Sequence, residues 1–322
     1  MEFEAPLRLI WLKGIQAITG HRDMTNDRFF NKKIITVSSV GEDGGFSLYV
    51  NNTQDTLRYY SHEADRFASA SFESLKFEPQ VENNHRSTAW ILIQSYYAAF
   101  FAAHSLMRVS GWSCTRLTGN NIGVINKEIS IFYPGASLPK GGMYLLRSSS
   151  NAVEITCEKL DAANGGGSHE ALWSILRKFF NEMSTRILVE GETDDPNIQQ
   201  IIQVLDGFMS FLDRKGGEAW LTKVRNNLNY SHQYGAWFPY KGSTCDALRI
   251  WTSLKNSSLE SRLVVPSLKS DELIQFAEAC YFLVTLCRVS IKDLAYRSSA
   301  NSPFRQSSAK ILSQLETKFL NA

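Results

Sequence analysis

Apolar residues recur at helical spacing through most of the second half of the chain and alternate with polar ones in a few short runs of the first half. In Glu218–Tyr240, Trp220, Leu221, Val224 and Leu228 make one apolar stripe between Gly216-Gly217 and Gly235, which predicts a helix of roughly four turns. Upstream, Ser168 is placed to cap a helix over Glu170–Val189, and Asp195 one that opens on Pro196 and ends at Gly216. Ser270 or Asp271 begins a long helix to Tyr296, with Phe276, Cys280, Leu283, Val284 and Cys287 at core spacing. A Ser-rich tail follows from Ser298, with a weaker helix over Lys310–Phe319.

The most apolar helix runs from about Arg86–Ser87 to Gly111, and its apolar residues nearly encircle it. From Ser87 to Met107 it carries no formal charge if His104 is neutral, a length sufficient to cross a bilayer. Gln94, Ser95, Tyr96, Tyr97, His104 and Ser105 lie inside it, a mixture that suits a helix buried among other helices, so no membrane contact is expected. His104, set among Ala and Phe, is read as a hydrogen-bonded core residue.

In the first eighty residues, Lys33–Val40 and Phe46–Asn51 are β-prone runs separated by the turn sequence GEDGG, which predicts a hairpin. Leu7–Thr19 and Thr53–Phe77 are expected as helices. From Trp112 to Gly167 turn-rich stretches surround Asn121–Tyr133 and Met143–Cys157, both expected as strands, the second pair joined near Ser148–Asn151. Gly165-Gly166-Gly167 lacks the lysine and spacing of a phosphate-binding loop and is read as a linker. The resulting expectation is a mainly α protein: a small α+β region over 1–80, then a helical domain over 81–322 with a β-containing insertion at about 112–167.

Composition changes this picture little. Hydrophobic residues at 43% and charged residues at 20% are those of an ordinary globular chain, and a net charge of +2 requires any anion-binding surface to come from local clustering. One cluster exists: between Glu218 and Asp246 there is no acid, while Lys223, Arg225 and Lys241 are present. Cys114, Cys157, Cys245, Cys280 and Cys287 show no C-x-x-C pairing and are odd in number, which predicts buried free thiols in a reducing compartment. The acidic N-terminal MEFEAPLRLIW does not suit a signal peptide, and a cytoplasmic protein is expected. His21, His62, His85, His104, His169 and His232 form no H-x-x-x-H pair, so no metal site and no cofactor is expected.

The candidate chemistry lies on the helix described first. Arg225 and His232 are seven apart, about twenty degrees short of two turns, and on a continuous helix they would share a stripe with Asn229, beside the apolar face. Arg225, polar Asn226 and then His232 after six intervening residues resemble the R-x4-6-H signature of the HEPN superfamily (higher eukaryotes and prokaryotes nucleotide-binding). RSTAWILIQSYYAAFFAAHSLMRVSG, residues 86–111, resembles the Tyr- and Ala-rich first long helix that often precedes the R…H helix in that group. The resemblance spans about half the chain.

It implies a HEPN-like helical bundle and a metal-independent endoribonuclease, with Arg225 and His232 as catalytic residues and Asn226 or Asn229 orienting the phosphate or the imidazole. It further implies a composite cleft across a homodimer, RNA as substrate, products ending in a 2′,3′-cyclic phosphate or its hydrolysed form, and a setting as toxin or anti-phage effector with an antitoxin or regulatory protein as partner. The alternative is a non-catalytic adaptor of the same fold that binds a protein or nucleotide. Trp237, Phe238 and Tyr240, which leave the helix, suit either anchoring of a loop or stacking of a base. Six intervening residues is the long end of the superfamily's spacing.

Overall fold

The computed structural model describes residues 3–20, 24–31, 35–75, 87–138, 140–160, 167–192, 194–231, 233–238, 245–260 and 263–321. It is mainly helical, with one antiparallel sheet.

Two long helices form the centre. Helix α4 (Thr88–Val109) is buried along nearly its whole length, as its encircling apolar residues require. Helix α10 (Glu272–Arg297) starts on Asp271, whose carboxylate accepts from the Leu273 amide, and is buried at almost every position from Leu273 to Ala295. It is the one described helix long and apolar enough to cross a membrane, and most of its apolar window is covered by protein. Helix α3 (Thr53–Ser74), capped by Asn52, packs along α4.

The expected hairpin forms as β1 (Ile35–Val40) and β2 (Phe46–Val50). Its turn closes through Gly41 N to Gly45 O at 2.8 Å and Gly45 N to Asp43 Oδ1 at 2.9 Å. Strands β3 (Trp112–Leu117), β4 (Gly142–Ser148) and β5 (Glu154–Lys159) complete a sheet of order β1-β2-β5-β4-β3 among the described residues. β2 pairs with β5, Phe46 opposite Cys157, so the sheet runs across the division expected at residue 80 and joins the N-terminal region to the insertion. Gly111 makes the turn from α4 into β3 at φ +80°; a Cβ there would sit 3.2 Å from Leu12 Cδ1 and 3.3 Å from Ser148 Cβ.

Three local expectations are corrected. Asn121–Tyr133 is not a strand but lies in helix α5 (Gly119–Phe132), opened by a capping box between Thr118 and Asn121. Its buried Ile122, Ile125 and Ile129 fall at helical spacing, which outweighs the β-preference of isoleucine. Leu7–Thr19 is not one helix but the short α1 (Glu4–Arg8) and a 3-10 turn at Ile15–Ala17. The chain breaks at Gly14, φ +92°, and Leu12 N bonds Val109 O at 2.8 Å instead of an i−4 carbonyl. Helix α9 (Ala247–Glu260), which buries Ile250 and Trp251, was not expected.

Helices α6 (Ser168–Glu190), α7 (Pro196–Arg214) and α8 (Ala219–Tyr230) fall in the predicted segments; Asp195 caps α7 as expected, whereas Ser168 is the first residue of α6 and not its cap, Gly167 preceding it with no side-chain bond. The short helices α2 (Asn26–Phe30) and α11 (Pro303–Gln306) complete the described set, and α12 (Ser308–Asn321) returns to α3, where Asp65 Oδ1 accepts from the Ser308 amide at 3.1 Å. All five cysteines are buried, and none is paired in a disulfide.

His104 lies in the core, as read from the sequence, and stacks on Phe67 with ring centroids 4.6 Å apart. Arg108 Nη1 donates to its Nδ1 at 3.0 Å, which leaves the ring proton on Nε2. Burial, then the neighbouring Arg108 cation, holds its pKa well below the ordinary value. The unfolded chain therefore takes up a proton near pH 6.5 that the folded chain refuses, and stability is lost as the pH falls through that value. We expect a urea midpoint clearly lower at pH 5 than at pH 7, with part of that difference removed in His104→Gln. An unchanged pH dependence in that variant would show that other groups account for it.

Candidate functional site

The α8 helix exists because Trp220, Leu221, Val224 and Leu228 place one buried stripe against the rest of the bundle, with Trp220 edge-on to Phe276 and Phe211. It ends at Tyr230, with Ser231 N bonded to Asn227 O, and a tight turn follows in which Tyr234 takes φ +72°. The helix is thus shorter than predicted. The common stripe expected for Arg225 and His232 is therefore described only as far as Tyr230, and His232 lies outside the described residues.

Arg225 sits at the seam where α8 crosses α4, half-buried. Its Nη1 donates to Asn226 Oδ1 at 2.7 Å and its Nη2 to the Tyr97 hydroxyl at 2.9 Å. The guanidinium carbon lies 5.5 Å from the ring centres of both Tyr96 and Tyr97. Its Nε is buried with no hydrogen-bond partner, and among the described residues no carboxylate pairs with this arginine. Two neutral side chains hold it, so its charge is not spent inside the protein. Asn226 is the predicted companion that contacts it; Asn229 is half-buried on the same helix.

Beneath Arg225, Tyr96 of α4 collects polar groups from two other helices. Trp173 Nε1 of α6 donates to its hydroxyl at 2.9 Å, Thr222 Oγ1 of α8 lies at 3.3 Å and His169 Nδ1 of α6 at 3.1 Å. His169 also packs on Phe100, centroids 4.1 Å apart, and edge-on to Tyr97 at 5.6 Å. Burial first and the Arg225 cation second lower its pKa to about 4, so the ring is neutral at pH 7. Burial raises the Tyr96 phenol pKa and keeps the group protonated.

His169 was missed because nothing adjacent in sequence pairs it with Arg225. The one local signal is its four-residue spacing to Trp173, which puts both rings on one face of α6.

The segment leaving α8 is pinned to the first turn of α4. Ala89 N bonds Ala236 O at 3.2 Å, Trp237 Nε1 bonds Leu228 O at 2.7 Å, and Trp237 meets Trp90 edge-on at 5.7 Å. Trp237 therefore anchors the loop. Phe238 is 84% exposed, while Tyr240 and Lys241 lie outside the described residues. Among the described residues no group of three or more His, Cys, Asp or Glu side chains is placed to hold a metal ion. Compared with protein-family models, curated proteins and solved structures, the chain matches none.

Proposed function

We propose that the protein is a metal-independent endoribonuclease of HEPN type that cuts single-stranded or looped RNA. The observation that carries this reading is Arg225: a half-buried guanidinium at a seam between helices, held by Asn226 and Tyr97 rather than by an acid, with a buried Nε that has no partner. A cation kept uncompensated is suited to a phosphate. The packing of the Tyr-rich α4 against α8 is in keeping with the family resemblance.

The chemistry follows from the residue types. The ribose 2′-hydroxyl attacks the adjoining phosphorus, the P–O5′ bond breaks, and a 2′,3′-cyclic phosphate remains. His232, an imidazole that titrates near neutrality when unperturbed, takes the hydroxyl proton, and the departing 5′-oxygen is protonated in turn. Arg225 offers a planar fork to two phosphate oxygens and stabilises the charge that gathers on them in the transition state. Asn226 fixes the guanidinium, and Asn229 orients the phosphate or imidazole. An A-form duplex holds the 2′-oxygen away from in-line attack, whereas an unstacked nucleotide rotates into it and leaves its base to the exposed Phe238 or to Tyr240.

The test is cleavage of total RNA in EDTA by the purified protein and by His232→Ala, with product ends mapped. Loss of cleavage in the variant and cyclic-phosphate ends support the reading. Equal cleavage by both points to another site, and no cleavage by either across several RNAs points to the non-catalytic adaptor of the same fold.

The active form is a homodimer in which two copies of the Arg225 stripe face one cleft; a symmetric contact brings identical surfaces together. Sedimentation at micromolar concentration is expected to show a dimer. A monomer that still cleaves would remove the composite cleft and leave the single-chain site.

A further inference from the structure

We propose that His169 is a second ligand of the phosphate group held by Arg225, so that a neutral imidazole N–H and a guanidinium together form a clamp for a phosphodiester oxygen. The proposal rests on the reading of Arg225 as a phosphate-binding residue, and it adds a residue from another helix that no motif marks.

The groups around the Tyr96 hydroxyl favour one imidazole tautomer. The Tyr96 hydroxyl has one hydrogen to give and two lone pairs. Trp173 Nε1 only donates, so it uses one lone pair. The phenol hydrogen can go to Thr222 Oγ1 at 3.3 Å or to His169 Nδ1 at 3.1 Å, and the nearer, more basic imidazole nitrogen is the better acceptor. His169 Nδ1 is then an acceptor and the ring proton sits on Nε2, which bonds nothing else among the described residues.

Position completes the argument. His169 and Arg225 flank the same two rings, Tyr96 and Tyr97, from α6 and α8 respectively. The Arg225 charge is felt at the imidazole, and with burial it keeps the ring neutral. A neutral ring beside a cation avoids the repulsion two cations would suffer, and still offers an N–H. Tyr96 and Phe100 pack on the ring with centroids 5.5 and 4.1 Å away, so its orientation is set before any ligand arrives. His169 is half-buried, unlike the fully enclosed His104 on the far side of Phe100, and so remains open to a ligand.

The probe is a short 2′-O-methyl RNA oligonucleotide, which lacks the attacking hydroxyl and so reports binding alone. His169→Ala is expected to weaken its binding about tenfold, the scale of a hydrogen bond to a charged group. His169→Gln keeps an N–H donor and is expected to recover much of that loss, whereas Arg225→Ala weakens binding more than either. Nitrogen-15 histidine spectra are expected to show the Nε2–H tautomer for His169 in the wild type, a shifted resonance on adding the oligonucleotide, and a mixture of tautomers in Tyr96→Phe.

An Nδ1–H tautomer, a resonance unmoved by the oligonucleotide, no binding by the wild type, or wild-type affinity in a folded His169→Ala would each overturn the clamp. Binding that needs both residues, with no cleavage of the corresponding 2′-hydroxyl RNA, would leave the clamp standing and sink the nuclease. Cleavage that needs Arg225 while binding ignores His169 would do the reverse.

Discussion

Arg225→Ala is expected to lower the rate of RNA cleavage at least about a hundredfold, the lower range for loss of a positioned charge-stabilising group, while leaving the fold intact. The two halves of this expectation have separate grounds. In the transition state the phosphoryl oxygens gain negative charge at a half-enclosed seam, where a fixed guanidinium is worth more than in open water. Among the described residues the same guanidinium bonds Asn226 and Tyr97, both neutral, so its removal leaves no buried charge behind there. Tyr97 is partly buried and its hydroxyl reaches water once the arginine is gone.

Arg225→Lys separates charge from shape. It keeps the cation but loses the planar fork and the contact with Tyr97, and an intermediate rate is expected. The comparison is kcat/KM on a labelled single-stranded substrate in EDTA, with thermal midpoints measured alongside. Wild-type kcat/KM in a folded Arg225→Ala protein would remove Arg225 from the mechanism.

The second large effect concerns stability. Arg108 is 1% exposed, and its carboxylate partner is Glu63, with Nε to Oε2 at 3.6 Å. The remaining contacts of that guanidinium are neutral: His104 Nδ1 at 3.0 Å, the His104 carbonyl at 3.1 Å and the face of Phe67 at 4.3 Å. Glu63 is also gripped by Arg66 through both oxygens, at 3.0 and 2.9 Å.

Glu63→Ala leaves a buried cation without a carboxylate and is expected to cost about 3–5 kcal/mol, a large share of the stability of a typical domain. Replacing Glu63 and Arg108 together by methionine removes both charges at similar volume and is expected to cost much less. Urea denaturation of the single and double variants checks this. A Glu63→Ala midpoint close to wild type would mean that the Arg108 charge is compensated by something other than Glu63.

The helices that could be read from residues alone carry their signals locally. Asp195 with Pro196, Asp271 before Leu273, and the stripe Trp220, Leu221, Val224 and Leu228 each specify an element from neighbours within a few positions. The hairpin around 41–45 is legible for the same reason: Gly41, Asp43 and Gly45 bond one another. The reading failed in two ways, once to a distant contact and once to a local period misjudged. The segment at Leu7–Thr19 looks helical, but Leu12 gives its amide to Val109 across the fold. At 121–133 the isoleucines suggested a strand, although their spacing of three and four residues is that of the helix that forms.

The candidate site divides in the same way. Arg225 and Asn226 are neighbours on one helix, and their association is a matter of sequence. Tyr97 reaches Arg225, and His169, Trp173 and Thr222 reach Tyr96, only because α4, α6 and α8 meet at one seam. No periodicity encodes such a meeting. Likewise the pairing of β2 with β5 joins strands separated by two long helices, a partnership that hydrogen-bonding edges allow and that packing of the intervening α3 and α4 selects. The sequence by itself determined that most of the second half is helical, which arginine lies beside an apolar stripe and which residues cap α7 and α10, because these depend on forces that act within a turn or two. The tertiary structure alone decided which aromatic hydroxyl each polar group shares, and that His169 stands beside Arg225, because burial brings together side chains that the chain itself keeps far apart.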